Sequence, residues 1–285
     1  MTVLEAIQKG ADFLAKKNVE SPRLQVELLL AHLLKMPRMK LYLNFDRVLS
    51  PMEIDSLREL VKRRGQREPL QHITGSTSFC GYEIAVNRHA LIPRPETELL
   101  AEAGWNFLAT RHSSLVTALD FGAGSGCIAI ALAAKCPDAR IVATDISADA
   151  LALAKQNAAK NNFAERIQFL QSGGFATLKA ETQFDLIISN PPYIPSAEIE
   201  ALQPEVRDFD PRGALDGGAD GLDFYRRISA EAKPFLKPDG KIMLEFGDGQ
   251  ADAIKVIFEN EKWIVEAVKA DYSHRARILV ASLNC

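Results

Sequence analysis

An asparagine, two prolines and a tyrosine interrupt an apolar run in the middle of the chain, in the stretch LIISNPPYIP. Proline has no amide hydrogen and a fixed φ, so Pro191 and Pro192 end any strand. The carboxamide oxygen of Asn190 and the carbonyl that precedes Pro191 would form two convergent acceptors for one NH2 group. Tyr193 offers a flat face on which a planar group can stack. A simple strand-ending turn is the alternative interpretation.

Convergent acceptors of this kind suit chemistry on an amide or exocyclic amino nitrogen, which is a poor nucleophile because its lone pair is delocalised. They would orient the nitrogen and stabilise the positive charge that grows on it during attack. A methyl group on a sulfonium is the natural reagent, since charge leaves sulfur as it arrives on nitrogen. The pattern therefore predicts methylation of a planar NH2 group, with no general base required before the chemical step.

Three glycines, Gly122, Gly124 and Gly126, follow the predicted strand VTALDFG and open a predicted helix. Such a helix start presents free amide hydrogens, and glycines let a ligand approach that backbone closely. A dinucleotide-binding turn, G-x-G-x-x-G, would need glycine where the chain has Cys127, which disfavours an oxidoreductase. A tight turn between strand and helix without a ligand explains three glycines equally well.

An acid, Asp145, ends the next predicted strand, RIVATDI. In nucleotide-binding folds an acid at this place accepts hydrogen bonds from a ribose diol. It could instead cap the following helix, although Ser147 fills that role better. FDLIISN is by our count the fourth strand, so its end lies at the same edge as the glycine turn. We therefore expect Asn190 to face a ligand held by the glycine turn and Asp145.

Apolar strands alternate with amphipathic helices from Val116 onward. This order predicts an α/β fold with a mostly parallel, Rossmann-like sheet that helices cover on both faces. The seven strand candidates are VTALDFG, RIVATDI, RIQFLQS, FDLIISN, GKIMLEFG, WIVEAVKA and ARILVAS.

The first third of the chain is predicted to be helical, with Ser21 and Ser50 as N-caps that each precede a proline. We expect a small helical domain at 1–75, a β-hairpin linker at 76–92 and the main domain at 93–285. Residues 1–75 hold 13 Lys and Arg against 9 Asp and Glu, a charge of +4, which leaves −7 for the rest. This is not the clustered positive charge of a DNA-wrapping protein.

The composition, 47% hydrophobic and 25% charged, is that of a globular protein. The four cysteines, Cys80, Cys127, Cys136 and Cys285, form no C-x-x-C pair and have no histidine at zinc spacing. We therefore expect no metal site and reduced thiols in a cytoplasmic protein. We see no export signal, and no apolar run approaches the roughly 20 residues that cross a bilayer.

The glycine turn, the acid and the NPPY stretch together resemble the class I S-adenosylmethionine-dependent methyltransferases, in the branch that methylates planar NH2 groups. Within that branch the chain resembles the HemK/PrmC family of peptide chain release factor glutamine N5-methyltransferases. The resemblance covers nearly the whole chain. Its closer part is carried by FCGYEIAVN at 79–87, LIPRPETE at 91–98 and EVRDFDPRGALDGGADGLDFYRRI at 205–228.

The resemblance implies S-adenosyl-L-methionine as methyl donor and the glutamine of a Gly-Gly-Gln loop in class 1 release factors as acceptor. The N-terminal helices would grip that protein partner. We expect a monomer, with no membrane and no direct nucleic-acid partner. The residues implied are Gly122, Ala123, Gly124, Ser125, Gly126, Asp145 and Asn190 for the donor, Asn190, Pro191, Pro192 and Tyr193 for catalysis and the acceptor amide, and Phe79, Arg94 and Glu96 for the pocket.

One departure from the family pattern follows the third predicted strand. The family often has an acid and an aromatic residue near the adenine there, whereas this chain has Gly173 and Gly174. Phe175 is then a candidate for packing against the adenine, or a plain core residue.

The main alternative function is a nucleic-acid amino methyltransferase that acts on adenine N6 or guanine N2 through a similar Asn-Pro-Pro-aromatic site. Such an enzyme should carry a basic groove and extra recognition segments. The acidic balance of the chain beyond residue 75 argues against it. A non-enzymatic nucleotide-binding or scaffold protein would not need Asn190 or the double proline.

Overall fold

A computed structural model describes residues 1–111, 115–179 and 181–284. The chain divides into two compact units. The first contains Met1–Ser76 together with the short segment Gln203–Phe209, and the second contains the remaining parts of the chain. Residues 203–209 therefore belong to the N-terminal unit although they lie far along the chain.

The helices of the described residues are α1 Val3–Ala15, α2 Pro22–Leu33, α3 Arg38–Tyr42, α4 Pro51–Gly65, α5 Leu70–Thr74, α6 Pro95–Leu108, α7 Cys127–Lys135, α8 Ala148–Lys160, α9 Pro204–Arg207, α10 Asp223–Glu231 and α11 Ala251–Asn260. The strands are β1 Ser76–Phe79, β2 Tyr82–Ala85, β3 Val116–Phe121, β4 Ala139–Asp145, β5 Ile167–Gln171, β6 Phe184–Ser189, β7 Leu236–Glu245, β8 Trp263–Ala270 and β9 Ala276–Leu283.

The two predicted serine caps of the helical unit differ. Ser50 forms a capping box, in which its hydroxyl accepts from the Glu53 amide at 3.2 Å and the Glu53 carboxylate accepts from the Ser50 amide at 2.9 Å. This prediction is confirmed. Ser21 also occupies the predicted N-cap position directly before Pro22, but it has φ 48° and makes no side-chain cap bond. A capping side chain needs an extended backbone at the N-cap, whereas Ser21 is left-handed.

Within the helical unit, α9 is held by an ion-pair cluster on Glu205. Its carboxylate accepts from Arg64 Nη2 at 2.7 Å and from Arg67 Nη2 at 2.5 Å. Arg64 is buried, with 5% of its surface exposed. Burial alone would raise the pKa of Glu205, but the hydrogen bonds from Arg67 and Arg64 lower it.

Replacing Glu205 by alanine should loosen the helical unit, because Arg64 would remain buried without its carboxylate. The expected loss of local stability is about 3 kcal/mol. Hydrogen exchange of the α4 amides should accelerate accordingly. Glu198→Ala, which removes an exposed acid nearby in sequence, is the control and should leave α4 exchange unchanged. Equal exchange in both variants would show that the cluster contributes no stability.

The second unit is built on one sheet, to which seven strands of the described residues belong, in the order β5-β4-β3-β6-β7-β9-β8. The pairs from β5 to β7 are parallel, and β9 is antiparallel to both β7 and β8. The predicted seven-stranded, mostly parallel sheet is confirmed. The central strand β6 is buried along its whole length, as expected for a parallel strand with both faces covered.

Helices cover both faces of the sheet, as predicted. Alternate residues of a strand point to opposite faces, so Ala118 and Leu119 of β3 enter different hydrophobic clusters. The cluster of Ala118 contains residues of α6, α7 and α8, and that of Leu119 contains residues of α10 and α11. The predicted hairpin is formed by β1 and β2, with positive φ at Cys80 and Gly81 in its turn.

No helix in the described ranges is long and apolar enough to cross a membrane. The same residues contain no group of three or more His, Cys, Asp or Glu that could hold a metal ion. Cys80, Cys127 and Cys136 are free thiols, and Cys285 lies outside the described residues.

Candidate active site

The reversal of strand order places the glycine turn beside the NPPY stretch. The chain runs outward from β3 to β4 and β5, then returns to β6 on the other side of β3. Asp120 pairs with Ile188, and the Ser189 hydroxyl donates to the Phe121 carbonyl. Gly122 and Asn190 follow directly at the carboxyl ends of these strands, which is where open α/β sheets bind ligands.

A cavity of about 300 Å³ opens at this point. It brings together most of the donor-binding residues expected from the sequence, but neither Gly126 nor the expected acceptor residues Pro191 and Tyr193 are among its lining residues. The expected residues that line it are Arg94, Gly122, Ala123, Gly124, Ser125, Asp145, Asn190 and Pro192.

The glycine turn forms an open cradle. Gly122 has φ 78° and Gly124 has φ 54°, in a region that side-chain-bearing residues rarely adopt. A Cβ added at either place would lie 3.9 Å from the nearest heavy atom, so the space above the backbone is free for a ligand. Gly126 differs, because an added Cβ would lie 2.9 Å from the Cβ of Ala154 in α8. It allows α7 and α8 to pack closely.

The carboxylate of Asp145 ties this turn to the start of α8. One oxygen accepts from the Gly124 amide at 2.8 Å and the other from the Ser147 amide at 2.8 Å. The hydroxyl of Ser147 accepts from the Ala150 amide at 3.1 Å, so Ser147 is the helix cap, as predicted. Asp145 thus lines the cavity with its orientation fixed by two backbone amides.

The two glycines that depart from the family pattern follow β5, which is the third predicted strand of the sheet. Gly173 lines the cavity, and a Cβ at Gly174 would collide with the guanidinium of Arg227. Phe175 is a core residue, 2% exposed, with its ring stacked 4.7 Å from that of Phe121.

Sequence reasoning missed several residues that line the cavity. Ile146 is 73% exposed, and its position directly after Asp145 was the one available signal. Phe224 and Arg227 come from α10. The sequence predicted a helix over their segment, which also carries part of the family resemblance, but local periodicity gave no reason to place these side chains at the cavity.

The NPPY stretch is held by groups from several elements. The Asn190 amide donates to the Thr97 hydroxyl of α6 at 3.1 Å, and the Tyr193 carbonyl accepts from Gln250 Nε2 at 2.9 Å. A Cβ at Gly247 would lie 2.9 Å from the Tyr193 ring, so glycine there makes room for the tyrosine. Burial raises the pKa of Tyr193 to about 12, and its phenol is therefore neutral.

The three expected pocket residues occupy different environments. Arg94 lines the cavity and pairs at 2.6 Å with Asp210, whose side chain is fully buried. Phe79 is 1% exposed and belongs to the core. Glu96 is exposed. Neither Phe79 nor Glu96 is among the lining residues.

Comparison with known proteins places this chain in a family. Residues 5–75 match the PrmC N-terminal domain, and residues 99–203 match the methyltransferase small domain. The release factor glutamine methyltransferase of Geobacter sulfurreducens is 46% identical over 90% of this chain and 88% of its own. That of Chlorobaculum tepidum is 42% identical over 88% of this chain and 87% of its own.

A solved structure shares the fold at lower identity. The catalytic domain of human METTL16, in complex with an RNA hairpin, has a TM-score of 0.56 at 17% identity and covers 83% of each chain. At this identity the likeness concerns the fold alone. The curated relatives, in contrast, match this chain closely along most of its length, and the chain belongs to the release factor glutamine methyltransferase family of S-adenosylmethionine-dependent enzymes.

Proposed function

We propose that the protein transfers a methyl group from S-adenosyl-L-methionine to the side-chain nitrogen of the glutamine in the Gly-Gly-Gln loop of class 1 peptide chain release factors. The observation that carries the proposal is Asn190 at the strand switch point, beside an open glycine cradle, in a chain of this family.

The lining residues fit the donor. The free amides and open backbone from Gly122 to Gly126 suit its methionine part, and the Asp145 carboxylate suits the ribose hydroxyls. Ile146 and Gly173 provide apolar and open surface next to that acid, which suits the base. When bound, the donor supplies an electrophilic methyl group on a sulfonium.

Asn190 to Tyr193 would hold the acceptor amide. The Asn190 carboxamide oxygen and the carbonyl before Pro191 accept its two hydrogens, and the neutral Tyr193 ring packs against its plane. The acceptor nitrogen would form the new bond to the methyl carbon that the donor supplies, with sulfur keeping the electron pair of the bond that is lost. The nitrogen would then release one proton to water. Acceptors that bind the charge growing on nitrogen lower the barrier to this step.

The surface that binds the release factor, the oligomeric state and the location of the enzyme are part of the same proposal. We propose that the helical unit, whose residues 1–75 carry a charge of +4, binds the body of the release factor. The enzyme would act as a cytoplasmic monomer, without direct contact to nucleic acid. The acidic balance of the catalytic part of the chain supports the last point.

Incubation of the purified protein with labelled donor and a release factor tests this function. Label should enter the wild-type factor and be absent from a factor whose loop glutamine is replaced by alanine. Label on both factors, or on DNA or ribosomal RNA while the factors stay unlabelled, would refute the glutamine assignment. The second result would instead favour a nucleic-acid amino methyltransferase.

A further inference from the structure

A buried carboxylate lies beside Asn190. Glu245 ends β7, and the register of the sheet pairs Ser189 of β6 with Leu244 of β7. The next residues along these parallel strands, Asn190 and Glu245, are therefore neighbours at the edge where the cavity opens. Glu245 is 3% exposed, and charged residues are seldom buried so deeply without a full set of partners.

Glu245 does not have such a set. Its Oε2 has no hydrogen-bond partner among the described residues. The neighbouring polar side chains of Thr97 and Asn190 lower the pKa of this carboxyl, which opposes the effect of burial without cancelling it. Burial raises the pKa of Glu245 to about 7. A carboxylate that is buried without a full set of partners does not stabilise the fold, which suggests that Glu245 has a role in function.

Other ionisable groups act on this carboxylate from the surrounding elements. Glu96 of α6 raises its pKa, and Arg277 of β9 lowers it. The phenols of Tyr193 and Tyr225 also face it, and the charge of Glu245 raises the pKa of each, after the larger effect of burial. The Tyr225 hydroxyl donates to the backbone carbonyl of Glu245 at 2.8 Å, which anchors the end of β7.

The hydrogen-bonding capacity of the three side chains fixes the direction of the Asn190 amide. A carboxylate only accepts hydrogen bonds, and an amide nitrogen only donates them. The Asn190 nitrogen donates to the Thr97 hydroxyl at 3.1 Å, and its second hydrogen can be taken by Glu245. The Thr97 hydroxyl, having accepted from Asn190, is free to donate to the carboxylate. The amide oxygen of Asn190 is then the group left for a ligand.

We propose that Glu245 is a positioning residue for methyl transfer: with Thr97 it holds the nitrogen of the Asn190 carboxamide, so that Oδ1 accepts from the substrate amide. This inference rests on the proposed function. A protonated Glu245 could donate to Oδ1 instead, which would allow the carboxamide to turn over and present its nitrogen to the substrate. Two donors would then face each other, and the acceptor amide would lose its orientation.

The pH dependence follows from this requirement. Activity needs the ionised carboxylate, so kcat/KM for the release factor should fall as the pH decreases through about 7. Glu245→Gln cannot ionise, and its profile should lack this acid limb. Ionisation is unfavourable in the folded state because the pKa there is raised above its ordinary value of 4.5. The charge therefore reduces stability as the pH rises from that value to about 7, and Glu245→Gln should melt no lower than wild type above pH 7.

The test compares wild type, Glu245→Gln, Thr97→Val and Thr97→Ser on the release factor, with Glu266→Gln as control for loss of a surface carboxylate. We expect Glu245→Gln to lower kcat roughly ten- to hundred-fold, the range found when groups that orient metal ligands are replaced, with donor affinity and melting temperature retained. Thr97→Val should also lose activity and Thr97→Ser should keep it. Combining Glu245→Gln with Thr97→Val should cost less than the product of the single effects.

Two outcomes would overturn the inference, and they differ from failure of the proposed function. One is a Glu245→Gln enzyme with wild-type kcat and an unchanged acid limb. The other is a loss of activity matched by a lower melting temperature and weaker donor binding, which would make the role structural. If wild type itself leaves the loop glutamine unmodified, the proposed function fails, and the inference fails with it.

Discussion

Replacing Asn190 by alanine should lower kcat by about three orders of magnitude, the order expected when a group that stabilises transition-state charge is removed. The acceptor nitrogen would lose both its orientation and one acceptor for its hydrogens. The donor cradle at Gly122 and Gly124 is formed by the backbone and does not depend on this side chain. Donor affinity, measured by calorimetry, should therefore stay within about twofold of wild type.

Two further variants make the Asn190 result specific. Asn190→Asp keeps the size of the side chain but cannot donate to Thr97 and places a second carboxylate beside Glu245, so it should also be inactive at neutral pH. Asn260→Ala changes an exposed asparagine at the end of α11 and should be fully active. Normal turnover of Asn190→Ala together with weak donor binding would place Asn190 in the donor site only.

Replacing Asp145 by alanine should have the opposite effect on the two quantities, a large loss of donor affinity with a much smaller change in kcat. The substitution removes the carboxylate proposed to bind the ribose and also frees the amides of Gly124 and Ser147, which it holds at 2.8 Å. Hydrogen bonds to charged groups contribute about 1.5–3 kcal/mol each. Loss of the two bonds that this carboxylate is proposed to accept from the ribose hydroxyls should raise the donor Kd by roughly two to four orders of magnitude, and kcat at saturating donor should fall much less.

Asp149→Asn is the matched control for this measurement. Asp149 lies in the first turn of α8, is exposed and is 3.6 Å from His89. It contributes negative charge near the cavity without contacting the glycine turn, so its loss should change the donor Kd by less than about twofold. If Asp149→Asn and Asp145→Ala weakened binding equally, the effect would be one of overall charge and not of a specific carboxylate.

The fold could be predicted from sequence because its signals are local. Buried parallel strands such as β6 appear as uninterrupted apolar runs, and the alternation of strands and helices sets a mostly parallel sheet. Failures occurred where backbone conformation decides the outcome. Ser21 has the residue type of an N-cap, but its left-handed φ of 48° prevents the capping bond.

Only the site residues that lie at the ends of strands could be predicted from the sequence. Asp145 ends β4 and Asn190 directly follows β6, so sheet topology alone brings them to one edge. Thr97 and Arg227 reach the same region through the packing of helices, and no local pattern encodes that packing. Glu245 also ends a strand, but the sequence does not show that it is buried beside Asn190. Only the three-dimensional structure shows that its Oε2 lacks a hydrogen-bond partner among the described residues.

In the proposed function, Asn190 presents one particular nitrogen, that of the loop glutamine side chain of a release factor, to the methyl donor. Peptide mapping of the factor after reaction with an isotopically labelled donor tests this most directly. We predict that all of the label resides on the side-chain nitrogen of the Gly-Gly-Gln glutamine and that none appears with the Asn190→Ala enzyme. Label on another residue of the factor, or full labelling by Asn190→Ala, would contradict it.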